Sequence, residues 1–231
     1  MTATSSESHT LADEAYSRIR SAMHENRLRP GQKLRFSDLQ QLTNTSVTPV
    51  REALAKLTAE GFTEMEGHRG YRVAPVSSAD LWDIQRNRQM LEAEALRLSI
   101  LHGDEHWEAR LVSAHHLLAH MDRERSDLPT AVDDQWELRH NAFHEALIAA
   151  CQSKVLLGFC SLLSARASRY RRLSAAAPNL PRDVPHEHRL IFEATIRRDV
   201  STAIKALQEH FEHTARQVEQ VLGERRPDTP Y

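Results

Sequence analysis

From Ser78 to about residue 222 the apolar residues recur at helical spacing, broken only by short polar joints, with no stretch of alternating apolar and polar residues. That periodicity puts one stripe of each run against a neighbour and predicts packed helices. Helices are expected near residues 78–101, 104–124, 130–151, 153–175, 183–198 and 200–222, with Gly103, Pro129, Pro178, Pro181 and Pro185 between them. Six such helices make an all-α bundle. Aromatic residues are only 6% of the chain, which suits helices better than a β-sandwich. The last stretch, 223–231, holds Arg225, Arg226, Pro227 and Pro230 without apolar periodicity and reads as a flexible tail.

The first part of the chain is patterned differently. A helix is expected from Leu11 to Glu25, ended by Arg29-Pro30-Gly31, and a second from Ser37, whose hydroxyl is a candidate cap for Asp38–Leu42. After Thr43-Asn44-Thr45-Ser46 a third helix is expected, with Thr48 as cap and Pro49 in its first position. Phe62–Glu66 and Tyr71–Ala74 then alternate around Gly67-His68-Arg69-Gly70, the pattern of a β-hairpin. The order helix, helix, turn, helix, hairpin predicts a winged helix-turn-helix over residues 8–76. Pro75-Val76-Ser77-Ser78 then links it to a helical domain over 77–222, so the whole chain is expected to be mainly α.

In a helix-turn-helix the start of the second helix enters the major groove of double-stranded DNA. Ser46, Thr48 and Arg51 are the candidates to face bases and phosphates, with Pro49 opening the helix. Arg51 is the main base reader, because a guanidinium donates two parallel hydrogen bonds to guanine. Lys56 is placed near the phosphate backbone, Arg35 precedes the scaffold helix, and His68, Arg69 and Gly70 form a wing tip that could reach a minor groove. The plainer alternative is an ion-paired Arg51-Glu52 surface and a hairpin that only closes a small core. Residues 1–76 carry 10 Lys and Arg against 9 Asp and Glu, and the remainder 20 against 23, which leaves the question to position.

No run approaches the roughly 18 apolar residues that cross a bilayer, and the N-terminus lacks the basic and apolar regions of a signal peptide, so a cytoplasmic protein without a membrane partner is expected. Cys151 and Cys160 are too few for a disulfide framework and are expected as reduced core residues. Histidine is more conspicuous: the chain has 14, and eight of them form close pairs beyond residue 100. His140 and His144 lie one turn apart on one helix face, while His188 and His210 each precede apolar residues on later helices. The four could converge on a divalent metal, Zn²⁺ or Ni²⁺, with an open position for a small anion. They could equally be hydrogen-bonded core histidines. Arg169, Arg171 and Arg172 form a cationic cluster that could fork a carboxylate.

Leu28-Arg29-Pro30-Gly31-Gln32-Lys33-Leu34, Thr48-Pro49-Val50-Arg51-Glu52-Ala53-Leu54, Glu60-Gly61-Phe62 and Arg69-Gly70-Tyr71-Arg72-Val73 resemble the GntR family of bacterial transcription regulators, along nearly the whole chain. The family usually has Arg before the Thr-Pro pair; Val47 stands there, which implies an altered operator preference. Phe143-His144, Glu187-His188 and His210 resemble the FadR-type helical ligand domain, FCD, in which an Asp and three His hold a divalent metal beside the effector. His140 stands in the place of that Asp. A neutral ring there leaves the full metal charge for an anionic effector, unless Glu137, one turn earlier, supplies the carboxylate. Arg88 matches a family arginine near the pocket and, with Arg169, is the effector-binding candidate. His106, His115, His116 and His213 match no motif and are expected as solvated or partner contacts. The run from Trp136 to His144 is similar to the branch of the family that contains a carbon-starvation-associated repressor sensing glutarate. The resemblance implies a homodimeric repressor on a pseudo-palindromic operator, released by a small carboxylate. The alternatives are a metal-dependent enzyme of helical-bundle type and a scaffold that binds no DNA. A di-iron bundle needs Glu-x-x-His on two helices, and the helical domain has one, Glu137-Leu138-Arg139-His140.

Overall fold

The computed structural model describes residues 10–67, 70–125, 134–174 and 182–224. His68, Arg69, Pro129, Pro178, Pro181 and the segment from Arg225 onward lie outside the described residues. The chain divides into two compact units, the first ending at Val76 and the second beginning at Ser77.

In the first unit α1 (Leu11–His24) begins at a capping box, in which Thr10 Oγ1 accepts from the Asp13 backbone N–H at 3.1 Å. Its Ala15, Ile19 and Ala22 pack against α3 (Val47–Ala59), which turns Val50, Ala53, Leu54 and Leu57 inward. Between them α2 (Phe36–Thr43) buries Leu39. The helix starts differ from expectation. Arg35 caps α2 and Ser46 caps α3, neither through a side-chain hydrogen bond. Ser37 instead donates to Asp38 at 2.9 Å, and Pro49 falls in the third helical position. Proline is tolerated there because the first-turn N–H groups have no intrahelical acceptor. The hairpin is joined by a strand that the pattern did not suggest. β1 (Lys33–Leu34) and β2 (Thr63–Met65) flank β3 (Tyr71–Val73), all antiparallel, with Glu64 and Lys33 both opposite Arg72.

The second unit is helical throughout its described residues: α4 (Ser78–His102), α5 (Glu105–Arg125), α6 (Asp134–Ile148), α7 (Lys154–Ser174), α8 (Val184–Ile196) and α9 (Val200–Glu224). Helix α9 thus runs through Gly223 and Glu224, into the segment expected as tail. Leu96, Trp107, Leu111, Phe143, Ile191, Leu207 and Phe211 form the apolar centre of the bundle. Each such side chain contributes about 1.5–3 kcal/mol by leaving water. The joint at Gly103 is tight, since a Cβ there would fall on the Trp107 ring. Cys151 and Cys160 are free and buried, and burial pushes the Cys160 thiol up to about 12. Among the described residues no helix is long and apolar enough to cross a membrane.

Candidate nucleic-acid interface and candidate metal centre

In the first unit α2 ends at Asn44, whose φ of 54° lies in the left-handed region that lets a chain turn sharply after a helix. The start of α3 follows at once, so Ser46, Thr48 and Arg51 stand exposed within the first turn and a half of the helix, with Pro49 half-buried beside them. The N-terminal dipole and the open N–H groups of that turn favour phosphate. Arg51 lies 5.1 Å over the Phe36 ring and makes no ion pair with Glu52. Stacking of this kind orders the long side chain while leaving N–H groups to donate. Arg35 is exposed at the start of α2. Lys56 is turned toward α1, with its ammonium 4.3 Å over Tyr16 and 3.9 Å from Asp13. At the wing Glu66 draws Arg72 and Lys33 together, and Gly70 takes a φ of 127° that a side chain would resist.

The second unit gathers four histidines into its interior. His140 and His144 project from α6, His188 from α8 and His210 from α9; one nitrogen of each lies within 4.8 Å of the other three. All four rings are at most 3% exposed. Neither nitrogen of His144 or His188 has a hydrogen-bond partner, and Nδ1 of His140 has none. Burial, then the neighbouring rings and Arg171, holds His140 well below the usual imidazole range. Burial acts likewise on His144 and His210, and burial with the Arg182 charge brings His188 down to about 3. The rings are therefore neutral at pH 7, with lone pairs available.

Their surroundings orient them. Trp136 stacks on His140 at 4.8 Å while its indole N–H donates to Asp122 at 2.7 Å. His210 Nδ1 is 2.8 Å from Glu187, so Nδ1–H donates outward and Nε2 is left as the lone-pair nitrogen. Arg182 clamps the same carboxylate at 2.9 and 2.5 Å. Burial alone would push the Glu187 carboxyl up, but Arg182 and His213 outweigh it and hold it down. The role of Arg182 had no signal in the sequence beyond its place just before a proline-opened helix.

Two expectations are corrected. Glu137 does not turn to the histidines: Arg171 donates to its carboxylate at 2.5 Å and to Asn141 Oδ1 at 3.0 Å, and Asn141 Nδ2 donates to the same carboxylate at 3.3 Å. Burial would raise the Glu137 carboxyl, and the Arg171 charge and hydrogen bond more than reverse that. His115 is half-buried rather than fully solvated. It stacks on Phe192 at 4.0 Å and tilts against Phe143, and burial lowers its pKa. Arg88 and Arg169 are both buried. Arg88 pairs with Glu92 at 2.7 Å and covers the Phe211 ring at 4.0 Å. A cavity of about 350 Å³ reaches His144 from between α4, α6 and α7, and a cleft of about 470 Å³ between α8 and α9 is lined by Glu187 and His210 among others.

A divalent metal fits the donor set. Bonds of about 2 Å from imidazole nitrogen can draw these atoms onto one ion. Several buried nitrogens without partners are costly unless something binds them. The residues that would hold the ion are His140, His144, His188 and His210.

Comparison with known proteins agrees with both units. Residues 11–73 match the bacterial regulatory proteins of the gntR family, and residues 83–213 match the FCD domain. The chain is 37% identical to the HTH-type transcriptional regulator BphR of Paraburkholderia xenovorans, over 91% of this chain and 86% of the relative. It is 33% identical to the HTH-type transcriptional repressor GlaR of Escherichia coli, over 85% and 90%. Among solved structures it resembles McbR/YncC of E. coli, with a TM-score of 0.76, 21% identity and coverage of 91% of this chain and 98% of the other. These relatives and families are transcriptional regulators, which sets aside the enzyme reading.

Proposed function

The chain belongs to the gntR family of bacterial regulatory proteins and carries an FCD domain, and from that membership we propose a metal-dependent repressor released by a small carboxylate. Residues 8–76 read the operator and residues 77–222 bind the effector and a second copy of the chain. Two first units, presented by a homodimer, then engage half-sites of a pseudo-palindrome. Arg51 reads a base, while Arg35, Ser46, Thr48, Pro49, Lys56 and the wing residues His68, Arg69 and Gly70 position the unit on the backbone and the adjacent groove.

The observation that carries the regulatory half is the convergence from three helices of four buried, neutral histidines, three of which, His140, His144 and His188, have ring nitrogens without a hydrogen-bond partner. Zn²⁺ or Ni²⁺ suits all-imidazole coordination. With no carboxylate among the four, the metal keeps its full charge and supplies a Lewis-acid anchor for the effector's carboxylate. Arg88 and Arg169 add positive potential around it. A ligand changes operator affinity only by binding one arrangement of the dimer more tightly than another.

The test is metal content together with operator binding, measured on the native chain and on His144→Ala. One divalent ion per chain, lost in the variant along with the response of operator binding to small acids such as glutarate, is the expected result. A native chain that contains no metal, takes none up and still responds to an acid would overturn the metal anchor and leave the DNA-binding assignment intact.

A further inference from the structure

The cavity between α4, α6 and α7 meets His144, which is 3% exposed and has no hydrogen-bond partner at either ring nitrogen. Ile148, Leu157 and Cys160 give it an apolar wall, and the hydroxyls of Ser161 and Ser164 are its neutral polar groups. Two acids also line it, and among the described residues no Lys or Arg does. Glu145 is exposed, so water screens its charge. Glu92 is different: its side chain is 3% exposed, and it accepts from Arg88 Nε at 2.7 Å.

That buried pair has a direction. Arg88, one turn before Glu92 on α4, lies 4.0 Å over the Phe211 ring, and Phe211 stacks with His144 at 5.6 Å between ring centroids. Burial and neighbouring rings act most strongly on His144 and His210, and the Arg88 charge also lowers both. At the apolar wall the sign reverses. Burial pushes the Cys160 thiol up, the Glu92 charge pushes it further, and the opposing Arg88 charge is the weaker of the two. Positive potential therefore faces the histidines and negative potential faces the wall. Away from water such potentials are strong, and a cation held by its own buried anion is not open to a second one.

We propose that Glu92 sets effector specificity: by holding Arg88 and presenting a buried negative charge to the cavity, it selects a monocarboxylate with an apolar tail. The carboxylate lies toward the histidine centre, where the metal and Arg88 attract it, and the tail lies against Ile148, Leu157 and Cys160. This inference rests on the metal-anchored carboxylate proposed above and narrows it. A dicarboxylate such as glutarate would bring a second charge beside Glu92 with no cation lining the cavity to receive it. The volume of about 350 Å³, at the small end of ligand sites of roughly 300–1,000 Å³, suits a short acid.

The experiment is calorimetric titration of the full chain loaded with Zn²⁺, using acids of matched length that differ at one end: butyrate against succinate, valerate against glutarate, hexanoate against adipate. The native chain, Glu92→Gln and Glu92→Asp are titrated in parallel. At least one monoacid is expected to bind the native chain about tenfold or more tighter than its matched diacid. Glu92→Gln keeps the shape but removes the charge and frees Arg88 for a second carboxylate, so the ratio should move toward the diacid by about tenfold or more. Glu92→Asp keeps the charge and should keep the preference for the monoacid; loss of it there would assign the effect to packing and overturn the inference. Diacids binding the native chain as tightly as their matched monoacids, or an unchanged ratio in Glu92→Gln, would overturn it too, while leaving a carboxylate effector standing. If no acid binds the loaded native chain, the carboxylate anchor fails and takes the inference with it. The native-chain comparison decides even if the variants misfold.

Discussion

The two units keep their working groups on opposite sides of their cores. In the first, Ile19, Leu39, Val50, Leu54, Leu57 and Phe62 fill the interior, and the groups proposed to meet DNA, such as Thr48 and Arg51, remain in water. In the second, four histidines, Arg88, Glu92, Glu137 and Arg171 are buried inside the bundle. Exposed groups cost a fold almost nothing, so the reading surface can change without unsettling the unit beneath it. Buried polar groups destabilise unless they are partnered. The second unit partners most of them within itself and leaves the histidines in need of a ligand. On the proposed reading its stability is coupled to the metal it binds, a coupling that a sensor requires and a reading head does not.

Acid should separate the units most sharply. The four rings have folded-state pKa values below the value of about 6.5 in an unfolded chain. The unfolded chain therefore takes up protons first as pH falls, and stability present above about pH 6.5 is lost below it. Between about pH 6 and the lowered folded values each ring contributes at most about 1.4 kcal/mol per pH unit. Hydrogen exchange on the metal-free protein should show α6, α8 and α9 losing protection by several kcal/mol near pH 5. Equal losses in α1 and α3 would break the contrast. Metal removal is the next largest effect: chelation should deprotect the same helices by about 2.7 kcal/mol if the ion had been present at about a hundredfold its Kd.

Arg51→Ala sharpens the comparison from the other side. Operator affinity should fall by about 1–3 kcal/mol, while the unfolding free energy stays within about 0.5 kcal/mol, as for other exposed positions; a gel-shift series and a urea melt read the two. The smallest effect is at Lys56, where the contacts with Tyr16 and Asp13 are worth about 1 kcal/mol or less. If Lys56 also meets a phosphate, Lys56→Ala should lower the salt slope of operator binding by about one. An unchanged slope would assign it to α1 alone.

The helices were legible because amphipathic periodicity is a local property, and the observed boundaries of α1, α4 and α9 lie within two residues of the pattern. The helix caps were less so. Ser37 and Thr48 have the right side chains, but where the backbone enters each helix moved the caps to Arg35 and Ser46. Strand β1 is two residues long, too short for alternation to register, and exists only because β3 offers it an edge.

Of the site, the i, i+4 spacing already placed His140 and His144 on one face of α6. Whether His188 and His210 would join them was open until α8 and α9 packed against each other and brought all four nitrogens within 4.8 Å. The same packing gave Glu137 to Arg171, thirty-four residues away. Sequence by itself determined which residues form helices, which faces are apolar and which side chains carry chemistry, because those follow from neighbours a turn apart. Tertiary structure decided which charges cancel and which rings converge, because the rotation and crossing of packed helices depend on every side chain between them.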